Sequence, residues 1–378
     1  MIYFDNASSG LLEKEVLSAF NKYSLEFYAN PSSAHNLGSV SLQAIEKAKR
    51  QILKELNIPD YNLVFTSGAT EGNNFLIEGI ARRNFKVANK IITSKIEHPS
   101  VIQVFKALEK EGFQVVYLDV DKYGRIDLNE LSNAIDNKTS LVSVMAVNNE
   151  VGTVEPVSEI SKIVRKYPRC YFMSDVTQGI LKTDLDYSLI DAFSMSGHKI
   201  GGLKSSGFVA FKKRIDILPL IKGGEQQDGY RSGTLNAPLI CSLATAMRIG
   251  LAKKEERTKK ANELKQYLVS KFNEMPDLIE IVSPQEHCSP FILNFALLHH
   301  KASVVVEALS QREIYVTTRS SCSSKSKGGS DVILAMGYSE SIAENCIRLS
   351  FNGTEEIAQG EEFVAVLKEL LHDIRRRD

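Results

Sequence analysis

A lysine and an aspartate, each placed just after a short apolar run, are the residues of this sequence that most directly suggest chemistry. Lys199 ends the segment 196–199 (Ser-Gly-His-Lys), which follows the apolar residues 191–195. Asp175 closes an earlier apolar run, residues 170–174. A lysine amine can form a Schiff base with an aldehyde, and a carboxylate can keep a pyridine nitrogen protonated. Together they predict a site for pyridoxal 5'-phosphate (PLP).

The segment 66–71, Thr-Ser-Gly-Ala-Thr-Glu, is a candidate phosphate site. It follows a predicted strand and opens a helical pattern, and the amides at a helix start suit an anion. Taken alone, the segment favours an ordinary capped helix, because Ser, Thr and Gly commonly precede helices. Beside the lysine and the aspartate, we favour the phosphate interpretation.

Two further residues have a functional and a structural interpretation. His98 could stack on the cofactor ring and move a proton, or it could be a loop histidine before the helix-starting Pro99. By itself the residue favours the loop histidine. Asp175 could also serve as a helix N-cap after its strand.

A serine-rich segment, residues 320–330, contains Cys322 and lacks apolar anchors, so it is predicted to be a mobile loop. With Lys325 and Lys327 nearby, the thiol should be exposed and partly thiolate, the form that acts as a nucleophile. The alternative is that Cys322 is an incidental surface cysteine. Soluble proteins generally avoid exposed free thiols, so we favour the nucleophile.

Two other features can bind anions. Residues 223–236 form a long polar segment with four glycines, which could bring donors to an anion or simply connect two elements. Arg348 lies in an apolar predicted strand, where a guanidinium needs a carboxylate partner. That partner is either a substrate or an internal salt bridge.

Apolar runs alternate with helical patterns between about residues 41 and 206, which predicts a mostly parallel sheet with helices on its faces. The predicted strands are residues 63–65, 90–93, 114–118, 141–144 and 170–174, and the predicted helices are 99–111, 128–135 and 156–167. Ligands collect at the carboxyl ends of such strands. Residues 68–70, His98, Asn149, Asp175 and residues 196–199 all follow a strand closely, so they are expected to converge.

Beyond about residue 237 the pattern changes to a smaller α+β unit. Its predicted helices cover residues 251–274 and 355–375, and its predicted strands cover 292–295, 315–317 and 347–351. We therefore expect a large domain over residues 15–249. Residues 1–14 and 250–378 are expected to form a small domain that carries the Cys322 loop.

Composition excludes several classes of protein. The 378 residues include 46 Lys and Arg against 46 Asp and Glu, so nothing indicates binding to nucleic acid or to an anionic membrane. No leader or membrane-spanning run is evident, which points to a cytoplasmic protein. The five cysteines fit neither a disulfide framework nor a metal motif. Apart from Cys322, they are predicted to be core fillers: Cys170, Cys241, Cys288 and Cys346.

In this combination of motifs the chain resembles the cysteine desulfurases of the iron–sulfur-assembly kind, which are class V aminotransferase relatives of fold type I. The resemblance runs almost end to end, and its specificity comes from the order and spacing of the motifs. They are residues 3–7, 30–33 with His35, 66–73, 96–98, 147–152, Asp175 with Gln178, 196–199, 231–234, 321–323 and 348–350.

The resemblance implies an α/β fold with a mostly parallel seven-stranded sheet in the large domain, and a role for each site residue. Lys199 holds PLP, Asp175 faces the pyridine nitrogen, Gln178 reaches the ring hydroxyl, and His98 stacks on the ring with Asn149 nearby. The phosphate is held by Ala69, Thr70, Ser196 and His198, and by Thr234 of a neighbouring subunit, which implies a homodimer. Arg348 binds the carboxylate of L-cysteine.

The implied reaction yields L-alanine and a persulfide on Cys322, which then passes sulfur to an iron–sulfur scaffold or a tRNA-thiolation enzyme. A selenocysteine lyase or an aminotransferase relative is the alternative, and a non-catalytic sulfur carrier is a third. The sequence departs from the family pattern at residues 8–10, Leu203 and Ser205. None of these departures is expected to touch a residue with an assigned role.

Overall fold

The computed structural model describes residues 1–318 and 329–374, and its centre is a seven-stranded sheet. The strand order is β2-β8-β7-β6-β5-β3-β4, and all strands run parallel except β8, which is antiparallel to both neighbours. The strands are β2 (Tyr61–Thr66), β3 (Lys90–Ser94), β4 (Gln114–Leu118), β5 (Thr139–Ser143), β6 (Tyr171–Asp175), β7 (Ala192–Ser196) and β8 (Gly207–Lys212).

Helices cover both faces of this sheet. The helices of this part of the chain are α1 (Lys14–Glu26), α2 (Asn36–Glu55), α3 (Ala69–Asn84), α4 (Pro99–Lys110), α5 (Leu128–Ala134), α6 (Val157–Val164) and α7 (Ala237–Ala252). Successive strand residues point to opposite faces. Ile91 accordingly packs in the core under α3 and α4, whereas Ile92 packs in the core formed with α2, α6 and α7. Burial on both faces explains why these strands read as continuous apolar runs.

The remaining elements surround a separate apolar core that contains Phe4, Phe295 and Phe363. Its strands are β1 (Ile2–Tyr3), β9 (Ile279–Ile281), β10 (Ile292–Leu297), β11 (Ile314–Tyr315) and β12 (Cys346–Ser350). Its helices are α8 (Lys254–Asn273), α9 (Ala302–Gln311) and α12 (Ile357–Asp373). The short helices α10 (Asp331–Ala335) and α11 (Glu340–Glu344) pack instead in a smaller apolar cluster that includes Ile96 and Val151. β1 pairs in parallel with β11, and β10 lies between β12 and β9. The N-terminal residues therefore fold with the C-terminal part of the chain.

The fold class predicted from the sequence is confirmed, and each predicted strand of the large sheet overlaps an observed one. Two details were wrong. The predicted strand 315–317 ends at Tyr315, with Thr317 forming an isolated bridge to Arg348, and the predicted helix 251–274 begins at Lys254, after α7. Most of the predicted Cys322 loop lies outside the described residues. Within the described ranges, no helix is both long and apolar enough to cross a membrane.

Candidate active site

The carboxyl ends of the parallel strands surround a cavity of about 200 Å³. This is the position at which ligands bind in open α/β sheets. The cavity is lined by Ala7, Ser8, Ala69, Thr70, His98, Ser100, Met145, Val147, Asn149, Asp175, Thr177, Gln178, Ser196, His198, Lys199 and Arg348. Every described site residue that the sequence predicted is among them, with the exception of Thr234.

Lys199 reaches the cavity from a 3₁₀ turn, Gly197–Lys199, that directly follows β7. Its Nζ donates to the backbone carbonyls of Ala7 and Ser8, at 2.5 Å each. The N-terminal segment therefore positions the lysine amine. Two distant parts of the sequence, residues 7–8 and the turn 197–199, meet at this point of the cavity.

Asp175 is the last residue of β6 and is buried. The Asn73 side-chain amide donates to its Oδ2 (2.8 Å), and the backbone amide of Thr177 donates to its Oδ1 (2.9 Å). The second contact caps a turn rather than a helix, because no helix follows β6 directly, so the helix N-cap interpretation was wrong. Asp175 also lines the cavity.

The start of α3 faces the cavity without a side-chain cap. Its N-cap, Gly68, has φ of +144°, a backbone conformation that favours glycine. The backbone amide of Ala69 donates to Ser196 Oγ at 2.8 Å, which leaves the hydroxyl proton of Ser196 available for an acceptor. An uncapped helix N-terminus beside a serine donor suits a phosphate.

Two histidines of the site are electrically neutral near pH 7. Burial lowers the pKa of His98, and the Lys199 charge lowers it further, whereas Asp175 opposes the shift. Burial, with the Lys199 charge, lowers the pKa of His198 to about 4. His98 also caps α4, since its Nδ1 accepts from the amide of Ser100 (3.1 Å). His98 therefore caps a helix and also presents a neutral ring to the cavity.

Arg348, on β12, brings a buried guanidinium to the cavity. Its Nη1 donates to the Asn149 carbonyl (2.8 Å), and its Nη2 lies 3.0 Å from Asp5 Oδ1. The sequence left open whether this arginine meets a substrate or an internal carboxylate. An internal salt bridge is present, and it lies at the cavity wall, where a substrate carboxylate could also reach the guanidinium.

One expectation about the departures from the family pattern was wrong. Ser8 Oγ accepts from Arg348 Nη2 at 2.7 Å, and the Ser8 carbonyl accepts from Lys199 Nζ. A departure at residue 8 therefore contacts two residues with assigned roles. Sequence spacing could not reveal this, because 340 residues separate Ser8 from Arg348. At Ser205, where a glycine is common, φ is +60°, a conformation that explains the glycine preference.

Comparisons with known proteins agree with this geometry. The family model described as Aminotransferase class-V matches residues 2–359. The chain belongs to the class-V aminotransferase family. It is 36% identical over 374 residues to a NifS/IcsS protein homolog of Lactobacillus delbrueckii subsp. bulgaricus, covering 98% of this chain and 97% of that one.

Two further similar proteins match this chain over almost its whole length. The putative cysteine desulfurase IscS 1 of Bacillus subtilis is 34% identical over 376 residues, covering 98% of this chain and 99% of its own. The solved structure of a NifS-like protein has a TM-score of 0.92 at 34% identity and covers 99% of this chain and 100% of that chain.

PLP is the cofactor of the class-V aminotransferases, and the residues of the cavity fit it. Lys199 offers an amine, Asp175 a carboxylate, and the start of α3 an anion site. Among the described residues, buried Thr177 Oγ1 has no hydrogen-bond partner although Thr177 lines the cavity. A polar ligand would satisfy this hydroxyl, which supports the fit.

Thr234 is not brought to the cavity: it is exposed and does not line it. Cys322 lies outside the described residues. The other cysteines are not uniform either. Cys170, Cys241 and Cys346 are buried as predicted, but Cys288 is half-buried, with its Sγ 2.9 Å from Lys265 Nζ. The prediction that Cys288 is a core filler was wrong.

Several supporting residues were missed by the sequence analysis. The side-chain amide of Asn73 donates to Asp175 Oδ2 and to Ser100 Oγ, and its side-chain oxygen Oδ1 accepts from Ser194 Oγ. Lys182 is buried and donates to Gln178 Oε1 (3.4 Å), while Gln178 Nε2 donates to the Ala7 carbonyl (3.0 Å). Asn73 lies within the motif 66–73 that carries the family resemblance. Its place in that motif was the signal by which the sequence could have indicated a role for it.

Glu97, beside His98, is a buried carboxyl behind the site. Its Oε1 accepts from Ser94 Oγ (2.7 Å) and from the amide of Met145 (2.9 Å), whereas its Oε2 has no partner among the described residues. Burial raises its pKa to about 8, and the Asp175 charge adds to the shift. Glu97 is therefore protonated in the folded protein at pH 7.

Stability should consequently fall as the pH rises toward 8. Because the pKa of Glu97 is raised on folding, its contribution is complete below about pH 4.5 and is lost as the pH passes through about 8. In urea unfolding of the apoprotein, Glu97→Gln should reduce the loss of unfolding free energy between pH 5 and 8 by on the order of 3 kcal/mol. Glu263→Gln, at an exposed position, is the control and should leave the profile unchanged. An equal slope in wild type and Glu97→Gln would contradict the assignment.

Proposed function

We infer that the protein is a PLP-dependent cysteine desulfurase that converts L-cysteine to L-alanine. The observation that carries this inference is the buried guanidinium of Arg348 in the same cavity as Lys199 and Asp175. A cavity with one amine, one carboxylate and one guanidinium suits an α-amino acid bound to PLP. The Bacillus subtilis relative, a putative cysteine desulfurase, supports cysteine as that amino acid.

When bound, PLP supplies an electron sink for the α-carbon of the substrate. The buried carboxylate of Asp175 would face the ring nitrogen and keep a proton on it. Gln178 would offer its amide to the ring hydroxyl, and Arg348 would bind the substrate carboxylate. Ala69, Thr70, Ser196 and His198 would hold the phosphate.

Proton transfer is assigned to Lys199 and His98. The amine of Lys199, when not bound to the cofactor, would take the α-proton, and the carbonyls of Ala7 and Ser8 accept its hydrogen bonds. His98 is neutral because burial lowers its pKa, so its ring can stack on the cofactor and accept a proton. Asn149, whose carbonyl binds Arg348, aligns the guanidinium.

The thiolate of Cys322 is proposed to attack the substrate sulfur. A sulfur–sulfur bond forms and the Cβ–S bond breaks, with its electron pair remaining on the substrate carbon. That carbon takes up a proton, and the product leaves as L-alanine. Cys322 then carries a persulfide that an acceptor thiol can remove.

Product analysis separates this function from its alternatives. Purified holoenzyme given L-cysteine and a thiol reductant should release alanine and sulfide in equal amounts. Formation of a keto acid would instead indicate an aminotransferase, and turnover restricted to L-selenocysteine would indicate a selenocysteine lyase. Protein that binds no PLP and yields no alanine would contradict the proposal and favour a non-catalytic sulfur carrier.

The quaternary structure is proposed to be a homodimer in which Thr234 of the partner subunit reaches the cofactor phosphate. Support comes from the N-terminal region: eight of the nineteen exposed large apolar side chains in the described part of the chain lie between residues 11 and 42. Such a concentration is typical of a surface that another chain covers. Thr234 is itself exposed, which is compatible with a role toward a second copy.

The mass in solution tests this dimer. The chain has a mass of 42.0 kDa, so light scattering should give twice that value. The double variant Leu37→Asp with Val40→Asp, both exposed on α2, should shift the protein toward monomer and weaken PLP binding. Val87→Asp, at a 59% exposed position outside the N-terminal region, is the matched control. A wild-type mass of one chain would contradict the homodimer.

The remaining assignments are proposals of the same kind. We propose a large domain of residues 15–249 and a small domain of residues 1–14 and 250–378, a division supported by the pairing of β1 with β11. The protein is proposed to act in the cytoplasm without binding nucleic acid directly. Its sulfur acceptor is proposed to be an iron–sulfur scaffold or a tRNA-thiolation enzyme.

A further inference from the structure

The hydroxyl of Ser8 lies where the charged groups of the site meet. It donates to Asp5 Oδ1 at 2.7 Å and accepts from Arg348 Nη2 at 2.7 Å. The same Nη2 lies 3.0 Å from Asp5 Oδ1, so the three groups form a closed triangle. Ser8 also lines the cavity that holds Lys199, and its carbonyl accepts from the lysine amine.

Two of the three guanidinium nitrogens of Arg348 donate hydrogen bonds within the described residues, and the third does not. Nη1 donates to the Asn149 carbonyl, and Nη2 donates to Asp5 and Ser8. Within the described residues, the buried Nε has no hydrogen-bond partner. A guanidinium that is 1% exposed and keeps an unused donor is poised for a further acceptor.

An incoming carboxylate must share this guanidinium with Asp5. Two carboxylates on one guanidinium leave a net negative charge, which makes an additional donor valuable. Ser8 is such a donor: its hydroxyl can rotate from Asp5 Oδ1 to the ligand while its oxygen still accepts from Arg348. After the Ser8 hydroxyl has turned to the ligand, Asp5 Oδ1 still accepts from Arg348 Nη2 at 3.0 Å.

We propose that Ser8 is a substrate-binding residue that recognises the α-carboxylate of the amino acid together with Arg348. Asp5 acts as the internal competitor that holds both groups in place before the ligand arrives. The inference deepens the proposed function and rests on it for the class of ligand, an α-amino acid. Ser8 therefore sets how strongly the site prefers a free carboxylate over the corresponding ester.

Ser8 could instead have a purely local role. Its backbone amide donates to the Asp5 carbonyl at 3.1 Å, so the residue also belongs to a turn. A residue that only shapes this turn would affect every ligand equally. The carboxylate dependence of binding therefore separates the two roles.

The test compares L-alanine with L-alanine methyl ester, each titrated into the holoenzyme and followed by the absorbance of bound PLP. Ser8→Ala should weaken L-alanine binding roughly 10-fold and change ester binding less than about 2-fold, as expected for the loss of one hydrogen bond to a charged group. Ser8→Thr retains the hydroxyl and should restore most of the affinity. Ser9→Ala, one residue on and outside the cavity lining, is the matched control.

Kinetics supply a second readout. With L-cysteine, Ser8→Ala should raise KM by a similar factor and leave kcat nearly unchanged, because the contact is made equally before and during the reaction. Equal weakening of acid and ester, or no weakening of either, would overturn the proposal. A holoenzyme that shows the predicted ratio but makes no alanine from L-cysteine would refute the desulfurase function and leave the Ser8 assignment intact.

A second variant acts in the opposite direction. Asp5→Asn removes the competing charge, so L-alanine should bind several-fold more tightly while ester binding is unchanged. If Ser8→Ala does not retain PLP, the Asp5→Asn variant tests whether Ser8 and Arg348 bind the substrate carboxylate in competition with Asp5. Weaker L-alanine binding in Asp5→Asn holoenzyme would overturn the proposal, because it would show that Asp5 supports the ligand rather than competes with it.

Discussion

Replacing Lys199 with alanine is expected to abolish the covalent attachment of PLP and to lower the turnover of L-cysteine at least about 1,000-fold. The amine is the proposed covalent partner of the cofactor and the proposed acceptor of the α-proton, and loss of a general base alone costs about 100- to 10,000-fold. The variant should retain the fold, since Lys199 lies on a short turn rather than in an apolar core. Borohydride reduction followed by peptide mass spectrometry should find PLP on Lys199 in wild type and on no peptide of the variant.

The control for this experiment is Lys204→Ala, which alters an exposed lysine five residues further along the chain. Lys182 is the amine that could compete, because it is buried near the site and burial lowers its pKa to about 7. Its amine donates to Gln178 rather than lining the cavity. Reduced PLP on Lys182 in the wild-type protein would contradict the assignment.

Replacing Cys322 with alanine is expected to leave PLP binding and L-alanine binding intact and to lower sulfide release at least about 100-fold. The reason is chemical: the substrate sulfur needs a thiolate to attack it, and the other thiols are poorly suited to that role. Burial raises the pKa of Cys170 and Cys346 far above neutrality and that of Cys241 to about 11. These three cysteines are protonated at pH 7.

Cys288 supplies the matched control, since it is half-buried and contacts Lys265 but does not line the cavity. Cys288→Ala should release sulfide at a rate close to that of wild type. Absorbance changes of bound PLP on adding L-alanine should be the same in both variants. Normal sulfide release by Cys322→Ala would remove Cys322 from the mechanism.

Much of this site was predictable because many of the candidate residues follow a strand, and parallel strands end at one edge of a sheet. That rule brings Asp175, Ser196 and His98 together without any knowledge of side-chain contacts. Continuous apolar runs identified the strands buried on both faces, such as β3 and β5. The strand β8 was not identified, although it reads Gly-Phe-Val-Ala-Phe-Lys, and its antiparallel direction depends on pairing with β2 and β7.

The contacts of the N-terminal segment could not be predicted from sequence patterns. Ala7 and Ser8 present carbonyls to Lys199, and Ser8 also reaches Arg348, through contacts that span 191 to 340 residues. Periodicity reports which face of an element is buried, but it carries no information about which distant backbone carbonyl meets a lysine. The same limit applies to Lys182, whose burial beside Gln178 was not visible in the sequence.

The most direct test of the central claim is a single turnover of the holoenzyme without a reductant. One equivalent of L-cysteine per PLP should yield an equal amount of alanine and a Cys322-containing peptide heavier by one sulfur atom, as detected by mass spectrometry after alkylation. Alanine formed without added sulfur on Cys322, or added sulfur on Cys288 instead, would contradict the proposed transfer of sulfur from L-cysteine to Cys322.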